Sequence, residues 1–111
     1  MKILLCCAGG FSTTMLMENI KKVVKNSKKL DEKDFALIAI PAETLESEID
    51  NYDIVLVGPQ ISHKIDFIKS LAEPRNKPYL IIDKDVYGSM DGATVLKMAL
   101  IKYTQHSKGI K

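Results

Sequence analysis

The sequence predicts an α/β domain built on a four-stranded, open parallel sheet with helices on both faces. Short apolar runs alternate along the chain with longer stretches in which apolar residues recur at helical spacing. The short runs are apolar at nearly every position, as strands covered on both faces require. Alternating strands and helices favour parallel pairing, and right-handed crossovers make 2-1-3-4 the simplest strand order.

The predicted elements follow from local patterns. Strands are predicted over residues 2–7, 35–40, 53–57 and 78–82, where the apolar runs lie. Helices are predicted from residue 12 to residues 26–29 and over residues 42–51, 61–72 and 93–103. Pro41 ends the second strand because it cannot donate to a sheet ladder. Residues 83–92 are predicted as a connection, with Asp91 as the N-cap of the last helix.

Length and composition limit the class of protein. The chain has 111 residues, 46% of them hydrophobic and 27% charged, which suits one domain with an ordinary core. We assign that domain to residues 1–106 and predict that the tail, residues 107–111, frays. The net charge is only +2, and the basic residues are not interleaved with aromatic residues, so nucleic acid is not a predicted partner. Neither a signal-peptide layout nor a run approaching the roughly 18 apolar residues of a membrane span is present, and we expect a cytoplasmic protein.

The two cysteines, Cys6 and Cys7, are adjacent in sequence. Neighbouring strand residues point to opposite faces, so a disulfide between these two would be strained. Zinc would need a second pair of ligands that the chain does not offer. Asp83, Asp85 and Asp91 are close in sequence, but loop and N-cap roles are favoured over a metal site. We therefore predict no metal and no cofactor, and we place Cys6 in the core.

Cys7 is the predicted nucleophile, because it ends the first strand where a loop of small residues leads into a helix. The residues after it are Ala8, Gly9, Gly10, Phe11, Ser12, Thr13 and Thr14. Glycines leave backbone N–H groups open to a ligand, hydroxyls can donate to phosphate oxygens, and a helix N-terminus favours anions. The same surroundings stabilise a thiolate, which can attack a phosphoryl group. We predict phosphate binding by residues 8–14, although such a loop is also simply a good strand-to-helix turn.

A second segment is predicted to meet this loop. In the order 2-1-3-4 the topological switch point lies between the first and third strands, and ligands bind where such strands end. Cys7 ends the first strand, and Gly58-Pro59-Gln60 ends the third. Gln60 is therefore a candidate to reach the cysteine loop. His63 lies near the same crevice and is a candidate partner contact, whereas His106 is predicted to be a solvated residue at a helix end.

Three segments together resemble a known family. They are Cys-Ala-Gly-Gly-Phe-Ser-Thr-Thr at residues 7–14, Gly-Pro-Gln-Ile at 58–61 and Tyr-Gly-Ser-Met-Asp-Gly at 87–92. They are similar to hallmark segments of the enzyme IIB component of the bacterial sugar phosphotransferase system, of the lactose/cellobiose (chitobiose) type. The resemblance extends over nearly the whole chain. Gly9, Phe11 and Thr14 replace the family's usual alanine, methionine and serine, while Cys7 matches.

The resemblance implies a protein-phosphocysteine–sugar phosphotransferase of the EC 2.7.1 type. Enzyme IIA, carrying a phosphohistidine, would donate to Cys7. Phospho-Cys7 would then phosphorylate a β-linked disaccharide, such as cellobiose, chitobiose or lactose, held by the membrane permease, enzyme IIC. The protein would act as a monomer and stand transiently at the inner face of the membrane through enzyme IIC. The resemblance implies no cofactor.

Other classes remain as alternatives. The main one is a cysteine hydrolase similar to low-molecular-weight phosphatases or arsenate reductases, which use a Cys-x5-Arg loop. Counting from Cys7, Thr13 stands at the arginine position, and the only arginine, Arg75, precedes the fourth strand. A receiver domain would need an aspartate at the end of the third strand, but Asp53 begins that strand. A redox module is disfavoured because the chain has no Cys-x-x-Cys motif.

Overall fold

The computed structural model describes residues 1–7, 11–28 and 30–109, without the side chains of Phe11, Ser12 and Glu32. Its sheet has four parallel strands in the order β2-β1-β3-β4, and this confirms the predicted fold class and strand order. The strands are β1 (Lys2–Cys6), β2 (Ala36–Ile40), β3 (Ile54–Val57) and β4 (Tyr79–Ile81). Each strand lies within one of the apolar runs that were predicted to form strands.

Five α-helices are present in the part of the chain that the structure describes. They are α1 (Phe11–Asn26), α2 (Leu45–Glu48), α3 (Ile65–Ala72), α4 (Lys84–Gly88) and α5 (Gly92–Gly109). Short 3-10 helices accompany them at Glu32–Asp34, Ala42–Thr44, Ile49–Asn51 and Pro59–Lys64. None of the described helices is long and apolar enough to cross a membrane.

The central strand β1 separates two buried layers. Ile3 and Leu5 pack in a cluster with residues of α1, α4 and α5. Leu4 and Cys6 pack on the other side, in a cluster with residues of α2 and α3. Side chains alternate between the faces of a strand, so an all-apolar strand supplies both cores. Cys6 is fully buried, as predicted, and burial raises the pKa of its thiol to about 11.

The structure differs from the predicted elements at four places. The helix predicted over residues 42–51 is the four-residue α2 between the 3-10 segments Ala42–Thr44 and Ile49–Asn51. The connection over residues 83–92 contains α4, which is too short for periodicity to reveal. The helix predicted over residues 61–72 is divided at Lys64, with the 3-10 segment Pro59–Lys64 before α3. The last helix runs to Gly109 rather than Tyr103. It overlaps the predicted tail, whose residues 110 and 111 lie outside the described part, so fraying stays a prediction.

Two predictions about polar residues have clear outcomes. Asp91 caps α5 as predicted: its carboxylate accepts hydrogen bonds from the Thr94 N–H at 3.1 Å and the Thr94 hydroxyl at 2.6 Å. These bonds hold the pKa of Asp91 below its ordinary value. His106 lies in the last turn of α5 and is partly exposed, as predicted, and its Nε2 also lies 2.9 Å from the Asn76 carbonyl oxygen. Distant contacts of this kind leave no local pattern in the sequence.

Candidate functional site

The backbone of the sheet holds Cys7 beside the end of β3. The Cys7 N–H donates to the Ile40 carbonyl at 3.1 Å, which extends the pairing of β1 with β2 by one residue. The Gly58 N–H donates to the Cys6 carbonyl at 2.8 Å on the other side. Cys7 therefore stands at the carboxyl edge of three strands, next to the switch point, where ligands bind in open parallel sheets.

Gly58 leaves room for the Gln60 side chain beside the end of β1. A Cβ atom at Gly58 would lie 3.4 Å from the Cys7 Cβ and 2.8 Å from the Gln60 Oε1. The backbone angles of Gly58, φ −65° and ψ 141°, are open to any residue, so the missing side chain matters and not conformational freedom. The structure thus brings Cys7 and Gln60 to the same place, as their positions at the strand ends predict.

Cys7 lies on the floor of a cleft of about 340 Å³. Only 2% of the residue is exposed, and the walls include Glu43, Gln60, His63 and Lys64. Since one water takes about 30 Å³, the cleft has room for a phosphoryl group and several waters. His63 is exposed and lines this cleft, so it lies near the crevice as its sequence position suggests.

An ion pair lines this cleft. The Lys64 Nζ donates to the Glu43 Oε1 at 2.8 Å. That hydrogen bond is the main reason why the pKa of Glu43 lies below its ordinary value, so Glu43 is charged at neutral pH. Sequence reasoning missed both residues. They are 21 positions apart, on different elements, and only the sheet order brings them together.

The predicted phosphate-binding segment is described only in part. Ala8, Gly9 and Gly10 lie outside the described residues, as do the side chains of Phe11 and Ser12. Thr13 and Thr14 lie in the first turn of α1, Thr14 exposed and Thr13 only 4% exposed. Phosphate binding by residues 8–14 therefore stays a prediction.

Thr13 has a buried partner that the sequence did not suggest. Its hydroxyl shares a 2.7 Å hydrogen bond with the hydroxyl of Tyr87, which is itself 4% exposed. Tyr87 belongs to α4, the helix missing from the sequence-based prediction. The bond ties the first turn of α1, directly after the cysteine loop, to the body of the domain.

The rest of the segment that ends at Gly92 also holds α1. The Asn19 Nδ2 donates to the Met90 carbonyl at 2.9 Å, and Met90 has a positive φ of 56°. Gly92 faces the backbone of Asn19 and Ile20. The segment therefore fixes the helix whose N-terminus follows Cys7.

Arg75, the only arginine of the chain, is occupied elsewhere. Its Nε donates to the Asp50 Oδ1 at 3.1 Å, and its Nη1 donates to the Leu71 carbonyl at 2.9 Å. These contacts lie at the end of α3 away from the cleft, and eight helical residues span about 12 Å. Among the described residues, no group of three or more histidine, cysteine or carboxylate side chains could hold a metal ion.

Comparisons with known proteins agree with this geometry. Residues 2–98 match the family model for the lactose/cellobiose-specific IIB subunit of the PTS system. An oligo-beta-mannoside-specific EIIB component from Bacillus subtilis is 29% identical over 99 residues, covering 89% of this chain and 92% of that protein. A cellobiose-specific EIIB component from Lactococcus lactis is 28% identical over 102 residues, covering 87% and 91%. The solution structure of a cellobiose-specific IIB component from Borrelia burgdorferi covers 96% of this chain and 94% of its own, with TM-score 0.78 and 33% identity.

Proposed function

The chain belongs to the lactose/cellobiose-specific IIB family of the sugar phosphotransferase system, and from that premise we propose that Cys7 carries the phosphoryl group. One observation supports this proposal above the others. Cys7 is held at the carboxyl edge of the sheet, on the floor of a cleft, directly before the segment that leads into α1. A parallel sheet places its ligands at this edge, and a helix N-terminus stabilises anions.

The proposed reaction has two phosphoryl transfers. In the first, the Cys7 thiolate attacks the phosphorus of a phosphohistidine on enzyme IIA, so the S–P bond forms as the N–P bond breaks. The electron pair of the N–P bond returns to the imidazole. In the second, a sugar hydroxyl attacks the phosphorus, the S–P bond breaks and the thiolate leaves, while the hydroxyl proton passes to a base or to water. Residues 8–14 and Gln60 would hold the phosphoryl oxygens.

The partners and substrate follow from the family. We propose enzyme IIA as donor and the sugar-loaded permease, enzyme IIC, as acceptor, with the chain acting as a cytoplasmic monomer that meets the membrane only through enzyme IIC. The relatives named above are specific for an oligo-beta-mannoside and for cellobiose. A β-linked disaccharide is therefore the proposed substrate class.

The arrangement favours a carrier over a hydrolase. Hydrolases of similar architecture hold phosphate with a loop arginine, and Thr13 occupies that position here. Arg75 cannot substitute for it while bound to Asp50 and Leu71. A phosphoryl group on Cys7 would then pass to a bound sugar rather than to water.

The test is phosphorylation of the pure protein by a phosphorylated enzyme IIA, with the modified residue mapped. We expect stable labelling of the native chain and of Cys6→Ser, and none of Cys7→Ser. Cys6 is the matched control because it is the same residue type one position away, buried in the core. Equal labelling of Cys7→Ser would refute the assignment. Rapid, repeated release of phosphate from an aryl phosphate would instead support the hydrolase.

A further inference from the structure

The ion pair between Lys64 and Glu43 stands beside the proposed phosphoryl carrier. Both residues line the cleft whose floor is Cys7, and their charged atoms are 2.8 Å apart. The side chains are 37% and 68% exposed. Pairs this exposed add little to the stability of a fold. The place of this pair in the cleft therefore suggests a role in binding.

A positive charge nearby would stabilise a phosphoryl group on Cys7. It adds about 1.5 to 2 negative charges at neutral pH and three acceptor oxygens. The position of a loop arginine is taken by Thr13, and Arg75 is bound at the far end of α3. Among the described residues that line the cleft, Lys64 alone is permanently cationic. Its flexible four-carbon stem lets the ammonium change partners.

The electric field of the pair reaches the end of β1. Burial is the largest cause of the raised pKa of Cys6, but the charge of Glu43 also raises it and the charge of Lys64 lowers it. Cys7 is the next residue along the chain and lies in the same cleft as the pair.

We propose that Lys64 is an exchangeable cation, paired with Glu43 while Cys7 is free and turned to the phosphoryl group when Cys7 carries one. This proposal rests on the function proposed for Cys7. A dianion with three oxygens is a stronger partner for an ammonium group than one exposed carboxylate. Glu43 then has two effects: it keeps the empty cleft close to neutral, and it competes with the phosphoryl group for Lys64.

The first experiment measures the charge at the thiol without any phosphoryl transfer. Iodoacetate and iodoacetamide are of similar size, but only iodoacetate is an anion, so the ratio of their alkylation rates reports the local charge and cancels differences in thiol reactivity. A Cys6→Ala background restricts the reaction to Cys7. Lys64→Met removes the charge and keeps the apolar stem, Glu43→Gln frees Lys64, and Lys69→Met removes an exposed lysine that does not line the cleft.

We expect Lys64→Met to lower the iodoacetate-to-iodoacetamide ratio about fivefold, the effect of one charge at contact distance with water-like screening. Glu43→Gln should raise the ratio, Lys69→Met should leave it unchanged, and 1 M salt should reduce the differences. A ratio in Lys64→Met equal to that in Lys69→Met overturns the proposal. So does a lower ratio in Glu43→Gln, or a Cys7 that reacts with neither reagent, because the cleft would then not admit a small anion.

The second experiment measures how a phosphoryl group divides between phosphorylated enzyme IIA and this chain at equilibrium. Lys64→Met should carry about fivefold less phosphate relative to enzyme IIA than the native chain, and Glu43→Gln should carry more. Labelling of Cys7→Ser would refute the proposed function. The alkylation ratios would still show whether Lys64 places a positive charge near Cys7. Unchanged division in Lys64→Met alongside normal Cys7-dependent labelling would overturn the exchange alone.

Discussion

The contact between α5 and α1 predicts a large difference between two glycine substitutions. In Gly92→Ala the new Cβ atom would lie 2.7 Å from both the Asn19 carbonyl carbon and the Ile20 nitrogen. Ordinary van der Waals contact begins near 3.4 Å, so the two helices would have to separate by about 0.7 Å. The obstructing atoms are backbone atoms of a helix, which cannot rotate away as a side chain would.

The expected cost follows from this geometry. Overpacking of a closely packed contact costs about 1–3 kcal/mol, and replacing glycine by alanine returns about 0.4–1 kcal/mol by restricting the unfolded chain. Gly92→Ala should therefore lower the free energy of unfolding by about 1–2 kcal/mol, which for a domain of this size lowers the Tm by about 4–15 °C. Gly88→Ala is the matched control, because its Cβ would meet nothing within 4 Å and its φ lies outside the left-handed region.

Urea unfolding followed by circular dichroism measures both variants against the native chain. The expected order of stability is Gly88→Ala at or slightly above native, with Gly92→Ala clearly below. If Gly92→Ala unfolds at the same urea concentration as Gly88→Ala, the close contact between α5 and α1 does not require glycine at position 92.

Two other predictions concern buried groups. Tyr87→Phe removes the hydroxyl that binds Thr13, and leaving a buried polar group unpaired costs about 1–3 kcal/mol. Urea unfolding should show this loss of stability in Tyr87→Phe, and adding Thr13→Val should cause a much smaller further loss. Additive losses in the double variant would contradict the hydrogen bond. The pKa of Cys6 is raised from 9.0 to about 11, so between those values the unfolded chain binds fewer protons than the folded chain, and stability falls as pH rises. Cys6→Ala should lose stability less steeply than the native chain from pH 9 to 11, and parallel profiles would rule out this contribution of Cys6.

The elements and their order were predictable because the relevant signals are local. Continuous apolar runs mark strands buried on both faces, and β1 feeds one core through Leu5 and the other through Leu4. Pro41 ends β2 because proline has no backbone N–H to donate to a sheet ladder, which is a property of that single residue. The helix α4 escaped prediction because five residues give no periodicity, although its N-cap, Asp83, was visible in the sequence.

The candidate site was predictable only at the strand ends. Cys7 and Gln60 could be assigned to one crevice because the strand order puts the ends of β1 and β3 side by side. The partners of these residues could not be assigned. Tyr87 meets Thr13 across 74 positions, and Lys64 meets Glu43 across 21. Such contacts depend on how helices pack on the sheet, which hydrophobic periodicity does not specify.

The sequence by itself thus determined the parallel sheet, its strand order, the burial of Cys6 and the place of Cys7 at the switch point, since these follow from local apolar patterns, their alternation along the chain and the right-handed crossover rule. Tertiary structure decided what surrounds Cys7. It left room at Gly58 for the Gln60 side chain, tied α1 to α4 through a buried hydroxyl pair, and put an ammonium and a carboxylate in the cleft that Cys7 lines. These features join distant parts of the chain, and only the packing of the whole domain brings them within bonding distance.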